Sequence, residues 1–212
     1  TGPTQAVALA EADASLGTRR IGDRIYSLHA VERAREALLG LVDEYHRIAP
    51  LEPGAPLQSV RAQVGAPAEL VDLIVREALA SGELRLEAGL LARRGWRPRL
   101  TDRQVRLRGD LLGALQRAGR EPPSASELEV SYGGDVVPLL RLMEREREVV
   151  AVEADRWFAR AAIEELINGL RVEMKPGREH TPADLRDMLG LSRKFLIPFL
   201  EYCDRHHITE RR

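Results

Sequence analysis

The sequence predicts a mainly α-helical chain with small β hairpins, arranged as tandem repeats, and three observations carry that prediction. Three short segments read as strand, tight turn, strand: residues 18–21 and 24–27 around Gly22 and Asp23, 83–86 and 90–92 around 87–89, and 149–152 and 156–158 around 153–155. Their turn residues Gly22, Ala88 and Ala154 are separated by 66 positions each time. Between the hairpins the apolar spacing changes from a strand period to a helical one.

The elements follow in a repeating order. Val31, Ala34, Leu38, Leu41, Val42 and Tyr45 fall on one helical face, as do Leu111, Leu112, Leu115 and Ala118, and again Ile163, Leu166, Ile167 and Leu170. Each long helix runs into a Pro- or Gly-containing break, at 50–56, 119–123 and 175–182. A short helix comes next, over 57–64 before Gly65 and over 181–189 before Gly190. The second of these is well specified: Thr181 caps it, Pro182 suits its first position, Asp184 favours its first turn and Gly190 ends it. A third helix then starts near Pro67, Asp135 and Ser192. Leu70, Leu73, Ile74, Ala78 and Leu79 form the buried stripe of the first of these, and Phe195, Leu196, Phe199, Leu200 and Cys203 that of the last.

Three helices followed by a hairpin is the order of a winged helix, the helix-turn-helix variant in which the hairpin is the wing. The chain therefore divides into the C-terminal part of one winged helix (1–29), two complete ones (30–100 and 101–160) and a C-terminal one (161–212). The last unit is expected to hold a single wing strand, Ile208 to Arg211, without its return strand.

Composition narrows the function classes. With 32 basic and 33 acidic side chains the formal charge is −1, which excludes a globally basic coat protein for nucleic acid. A single cysteine excludes an internal disulfide framework or a multi-cysteine zinc site. No apolar run approaches the roughly 20 residues of a membrane span. The expectation is a soluble, cytoplasmic, monomeric protein without a membrane partner, and a piece of a longer chain. No P-loop, dinucleotide fingerprint or HExxH motif occurs, so no catalytic residues and no metal site are assigned. His206 and His207 suit a helix C-terminus better than a metal centre, and Cys203 suits a core.

Charge is unevenly placed. Residues 90–120 hold nine arginines against two acids, whereas 121–170 hold five arginines against eleven acids. Two readings stand for the basic stretch: salt bridging within the protein, or a surface attracting phosphate. Trp96 is its only aromatic residue, which gives no platform for stacking bases. The sharpest feature is the start of the last helix, where Ser192, Arg193 and Lys194 occupy the turn that meets a nucleic acid in a helix-turn-helix. Cations oppose the helix dipole there, which suggests an anionic partner. Pro198 inside the same helix removes a donor to the Lys194 carbonyl and is expected to kink it.

Residues 185–205 carry a family pattern, R-D-x-L-G-x-S-R-K-aromatic-x-x-P-x-L-E-Y-x-D, matched by Arg186, Asp187, Leu189, Gly190, Ser192, Arg193, Lys194, Pro198, Leu200, Glu201, Tyr202 and Asp204. The segment closely resembles the last winged helix of the bacterial selenocysteine-specific elongation factor. Trp96 to Leu100, then a long helix and Pro122-Pro123-Ser124, look like that family's junction into its third winged helix. The resemblance implies a translational GTPase whose N-terminal half, absent here, holds GTP and Mg and delivers selenocysteinyl-tRNA to the ribosome; no cofactor is expected in this fragment. It implies that the last winged helix grips a selenoprotein mRNA stem-loop, the selenocysteine insertion element, through Ser192, Arg193 and Lys194. Arg186, Arg205, Arg211 and Arg212 complete the expected RNA-binding set. The alternatives are a winged-helix DNA-binding regulator, and a spacer role for the earlier units.

Overall fold

The computed structural model describes residues 17–174 and 179–210. Residues through Arg99 form one compact unit and those from Leu100 a second. The first opens with the hairpin β1 (Thr18–Ile21) and β2 (Arg24–Ser27), followed by α1 (Leu28–Ile48), β3 (Ala55–Pro56), α2 (Leu57–Gln63), α3 (Ala68–Ala80), β4 (Leu84–Glu87) and β5 (Leu90–Arg93). The second holds α4 (Asp102–Ala118), α5 (Ala125–Tyr132), α6 (Val136–Arg145), β6 (Val149–Glu153), β7 (Arg156–Ala159), α7 (Arg160–Glu173), α8 (Pro182–Leu189) and α9 (Arg193–Arg205). Helix, helix, helix, hairpin is the observed order: these are winged helices in tandem, mainly α with small sheets.

In the first unit β5 is central, with β4 and β3 on either side, Ala55 opposite Leu91 and Pro56 opposite Leu90. β3 falls in the stretch expected as a break only. A two-residue strand has no periodicity to detect, and its proline is tolerated because the strand is an edge. The core beneath joins Leu38, Val42, Val60, Leu70, Ile74, Ala78, Leu84 and Leu91. On α3, Val71 and Val75 are buried where Leu73 and Leu79 were expected. Leu73 and Leu79 stay half-exposed at the margin of the buried stripe.

The third helices end in one way. At each, the second residue after the cap donates to the carbonyl five positions back: Glu83 to Ala78 at 3.0 Å, Glu148 to Met143 at 2.9 Å and Ile208 to Cys203 at 2.8 Å. The residue before it sits in the left-handed region, as Gly82, Arg147 and His207. This is the Schellman motif three times over. In the first two repeats it delivers the chain into the wing. In the third, residues 208–210 are not a strand: Ile208 folds back onto the core that contains Cys203. The expectation of a strand from Ile208 is corrected accordingly; the backbone bond to Cys203 outweighs isoleucine's preference for strands. Arg211 lies outside the described residues.

Arg147 adopts φ 64°, a region that costs an L-residue about 1–2 kcal/mol. Arg147→Gly is therefore expected to stabilise the protein by about 0.5–1 kcal/mol, the gain trimmed by glycine's freer unfolded state. Thermal unfolding of the two proteins measures it.

Joints between elements are of two kinds. Ser27 is both the last residue of β2 and the N-cap of α1, and Ala159 plays the same two parts between β7 and α7. Residues 94–101, by contrast, separate β5 from α4 without regular structure.

Candidate nucleic-acid interface

α9 is positioned by a core that the preceding hairpin shares. Phe199, Leu196 and Cys203 are buried with Leu166, Leu170, Leu185 and Leu189 of α7 and α8, and with Val150, Val152 and Phe158 of the β6–β7 hairpin. The helix runs unbroken through Pro198. Cys203 is fully buried, and burial pushes its thiol up to about 12, so no thiolate is available at neutral pH. It is a core residue.

Five described helices begin after a serine or threonine. The hydroxyls of Ser27, Thr101, Ser124 and Thr181 accept the N–H three residues on, from Ala30, Gln104, Glu127 and Asp184. The last three complete a capping box with the side chain that reaches back. Ser192 stands alone, since its hydroxyl makes no capping bond. Ser192, Arg193 and Lys194 are all exposed, and both cations precede the buried Phe195. The turn between α8 and α9 is made by Gly190, whose φ of 63° favours glycine.

The other third helices begin differently. The first turn of α3 carries Glu69, which accepts from the Tyr26 hydroxyl at 2.7 Å and pairs with Arg24 at 2.9 Å. The tyrosine bond holds this carboxyl below its usual range. α6 starts at Asp135, with no cation in its first turn. Of the three, α9 alone opens with positive charge.

The remaining expected RNA-binding residues are dispersed in their bonding. Arg186 pairs with its neighbour Asp187 at 2.7 Å. Arg205, the last residue of α9, donates to the Val152 carbonyl at 2.6 Å and is tied to the β6 strand. Arg211 and Arg212 lie outside the described residues.

The basic stretch of 90–120 is divided between the two readings. Arg93 forms a bidentate pair with Asp43 at 2.6 and 2.7 Å, holding that carboxyl below its usual range. Arg108 pairs with Glu146 and Glu148, and Arg120 with Glu165. Arg103 and Arg106 are exposed and form no ion pair among the described residues. Trp96 is spent inside the first unit: its indole donates to the Glu52 carbonyl at 3.0 Å and stacks on His46, with centroids 4.0 Å apart. His206 lies against Tyr202, and no group of His, Cys, Asp or Glu among the described residues is arranged to hold a metal. No helix of the described residues is long and apolar enough to cross a membrane.

Sequence reasoning missed the residues that hold the start of α9 from outside. Glu121 accepts the Ser192 backbone N–H at 3.1 Å, and Arg120 donates to the Leu189 carbonyl at 2.9 Å. The buried Arg156 donates to the Pro122 carbonyl and to Glu153, and its guanidinium lies 5.0 Å from the Phe195 ring centre. The only local signal was the glycine- and proline-marked break at 119–123, which announces a turn but not its partner.

Comparison with known proteins gives the following. Two family models of the elongation factor SelB winged helix match, one described as its second winged helix over residues 39–92 and one as its third over 174–212. Neither is a GTPase domain. The selenocysteine-specific elongation factor of Desulfomicrobium baculatum is 32% identical over 180 residues, covering 82% of this chain and 28% of that protein. The same factor from Escherichia coli is 27% identical over 206 residues, covering 92% of this chain and 32% of that protein. The chain thus spans about a third of the length of the curated relatives it matches. The solved mRNA-binding domain of elongation factor SelB from E. coli, in complex with SECIS RNA, is 28% identical, covers 53% of this chain and 93% of its own, and has a TM-score of 0.44.

Proposed function

From this chain's homology to the winged-helix region of the bacterial selenocysteine-specific elongation factor SelB, we infer that it binds an mRNA stem-loop, the selenocysteine insertion element, through the start of α9. One observation carries the assignment to that helix. Ser192, Arg193 and Lys194 leave an uncapped helix N-terminus with two exposed cations, against a dipole penalty of about 0.3–1 kcal/mol each. A phosphate at that place reverses the sign of the penalty and takes up the free N–H groups. The exposed hydroxyl and guanidinium add donors for a splayed loop base or a 2′-OH.

Within this reading residues 161–212 are the RNA-gripping winged helix, and 1–29, 30–100 and 101–160 are the units before it. Arg186, Arg205, Arg211 and Arg212 stand as outer contacts; Arg205 would have to leave Val152 to reach RNA. The chain tethers a GTP-dependent, selenocysteinyl-tRNA-delivering half to the ribosome at a recoded UGA codon, as a monomer in the cytoplasm.

A calorimetric titration with a bulged RNA stem-loop and with matched duplex DNA, repeated across salt concentrations, tests the assignment. Stem-loop binding is expected to be at least tenfold tighter than duplex binding at every salt concentration, with log affinity falling linearly in log salt. Equal affinity for the two would favour the DNA-binding regulator and defeat the assignment.

A further inference from the structure

Three consecutive residues of the turn after α4 converge on the start of α9, and no local pattern in the sequence requires it. Arg120 donates to the Leu189 carbonyl at the end of α8. Glu121 accepts the N–H of Ser192, the N-cap of α9. Pro122 receives Arg156, whose guanidinium lies over Phe195 in the first turn of α9. The two direct bonds bracket Gly190 and Leu191, the whole of the turn that aims α9. Arg120 is held in turn by Glu165 of α7, so the bracket is anchored to the long helix of the last repeat as well.

We propose that Arg120 and Glu121 are positioning residues for RNA recognition: they fix the α8–α9 turn so that Ser192, Arg193 and Lys194 meet the stem-loop in one orientation. The repeat over 101–160 is then the frame of the reader rather than a spacer. The proposal rests on the RNA-binding assignment above. Neither residue needs to touch RNA. Arg120 has its guanidinium spent on a carbonyl and a carboxylate, and Glu121 would repel phosphate. What Glu121 supplies is an acceptor for a backbone N–H that Ser192's own side chain leaves unanswered. A contact geometry held to within a fraction of an ångström is what a charge-assisted bond to phosphate demands.

The electrostatic and geometric contributions of Glu121 have opposite signs, which makes the test sharp. In the full chain, Glu121→Ala removes both the acceptor and the repelling charge, whereas Glu121→Gln keeps an acceptor and removes only the charge. Stem-loop titration is expected to show Glu121→Ala weakened by about three- to tenfold, in line with one lost hydrogen bond, and Glu121→Gln restored to wild-type affinity or better. Arg120→Ala is expected to weaken binding by a similar factor while leaving the salt slope unchanged, because no phosphate contact is lost. A phosphate contact at Arg120 would instead lower the slope by about 0.7–0.9. Glu121→Ala binding as tightly as wild type overturns the proposal, and so does a reduced slope for Arg120→Ala. The Arg193→Ala and Lys194→Ala variants, run alongside, separate the two levels. If they too bind normally, the RNA-binding assignment to α9 has failed; if they alone lose affinity, only the clamp has.

Discussion

Truncating Arg193 or Lys194 to alanine is expected to weaken stem-loop binding by more than tenfold each, while Arg33→Ala on the exposed face of α1 leaves it unchanged. Both cations sit on the first turn of α9, exposed and ahead of a buried phenylalanine, so their loss disturbs no core. A charge-assisted hydrogen bond is worth about 1.5–3 kcal/mol, and tenfold corresponds to about 1.4 kcal/mol. The salt slope should fall by about 0.7–0.9 for each phosphate contact removed. The two residues are adjacent, so the double variant need not lose the product of the single losses. Removing either cation also relieves the dipole penalty, so the free protein is expected to become slightly more stable as its affinity falls. Electrophoretic titration at two salt concentrations, beside a thermal melt, reads both effects. Wild-type affinity in both variants would move the interface away from this helix.

Phe199→Ala is expected to cost about 3–5 kcal/mol, the usual range for emptying a fully buried phenylalanine site. The ring is 0% exposed and lies in the core that joins α7, α8 and α9 to the β6–β7 hairpin. A loss of that size lowers the melting midpoint by about 10–20 °C for a unit of this length. Phe195, 8% exposed, reaches the surface beside Arg156 and Lys194 and should cost less when truncated. Calorimetric melting of both variants ranks them. A Phe199→Ala midpoint within a few degrees of wild type would mean that the hairpin and helices do not share that core.

Much of the fold was legible because each repeat restates the same local rules. Thr181, Pro182, Asp184 and Gly190 mark the ends of α8 by cap chemistry, and the structure contains that capping box. The hairpins at 18–27, 83–93 and 149–159 are likewise local objects, each read from a turn and its flanks. What was not legible depends on distant partners. The bonds from Arg120 to Leu189 and from Glu121 to Ser192 span 69 and 71 residues, and neither end carries a sign of the other. Ile208 looked like a strand residue because its side chain prefers one; a backbone bond to Cys203 decided otherwise. In the candidate site, Ser192 could be placed at the helix start from the sequence. That its hydroxyl stays uncommitted, unlike those of Ser27, Thr101, Ser124 and Thr181, took the coordinates.

The seamless passage of β2 into α1 and of β7 into α7 sets what the chain can absorb over evolutionary time. Inserting one residue at Ser27 or Ala159 would turn the following helix by about 100° relative to the strand it continues. That rotation carries Val31 and Leu38, or Ile163 and Leu166, out of their cores. An insertion within 94–101 turns nothing, because no helix there continues a strand. Length drift among relatives should collect at the second kind of joint, while the first keeps both its length and its phase.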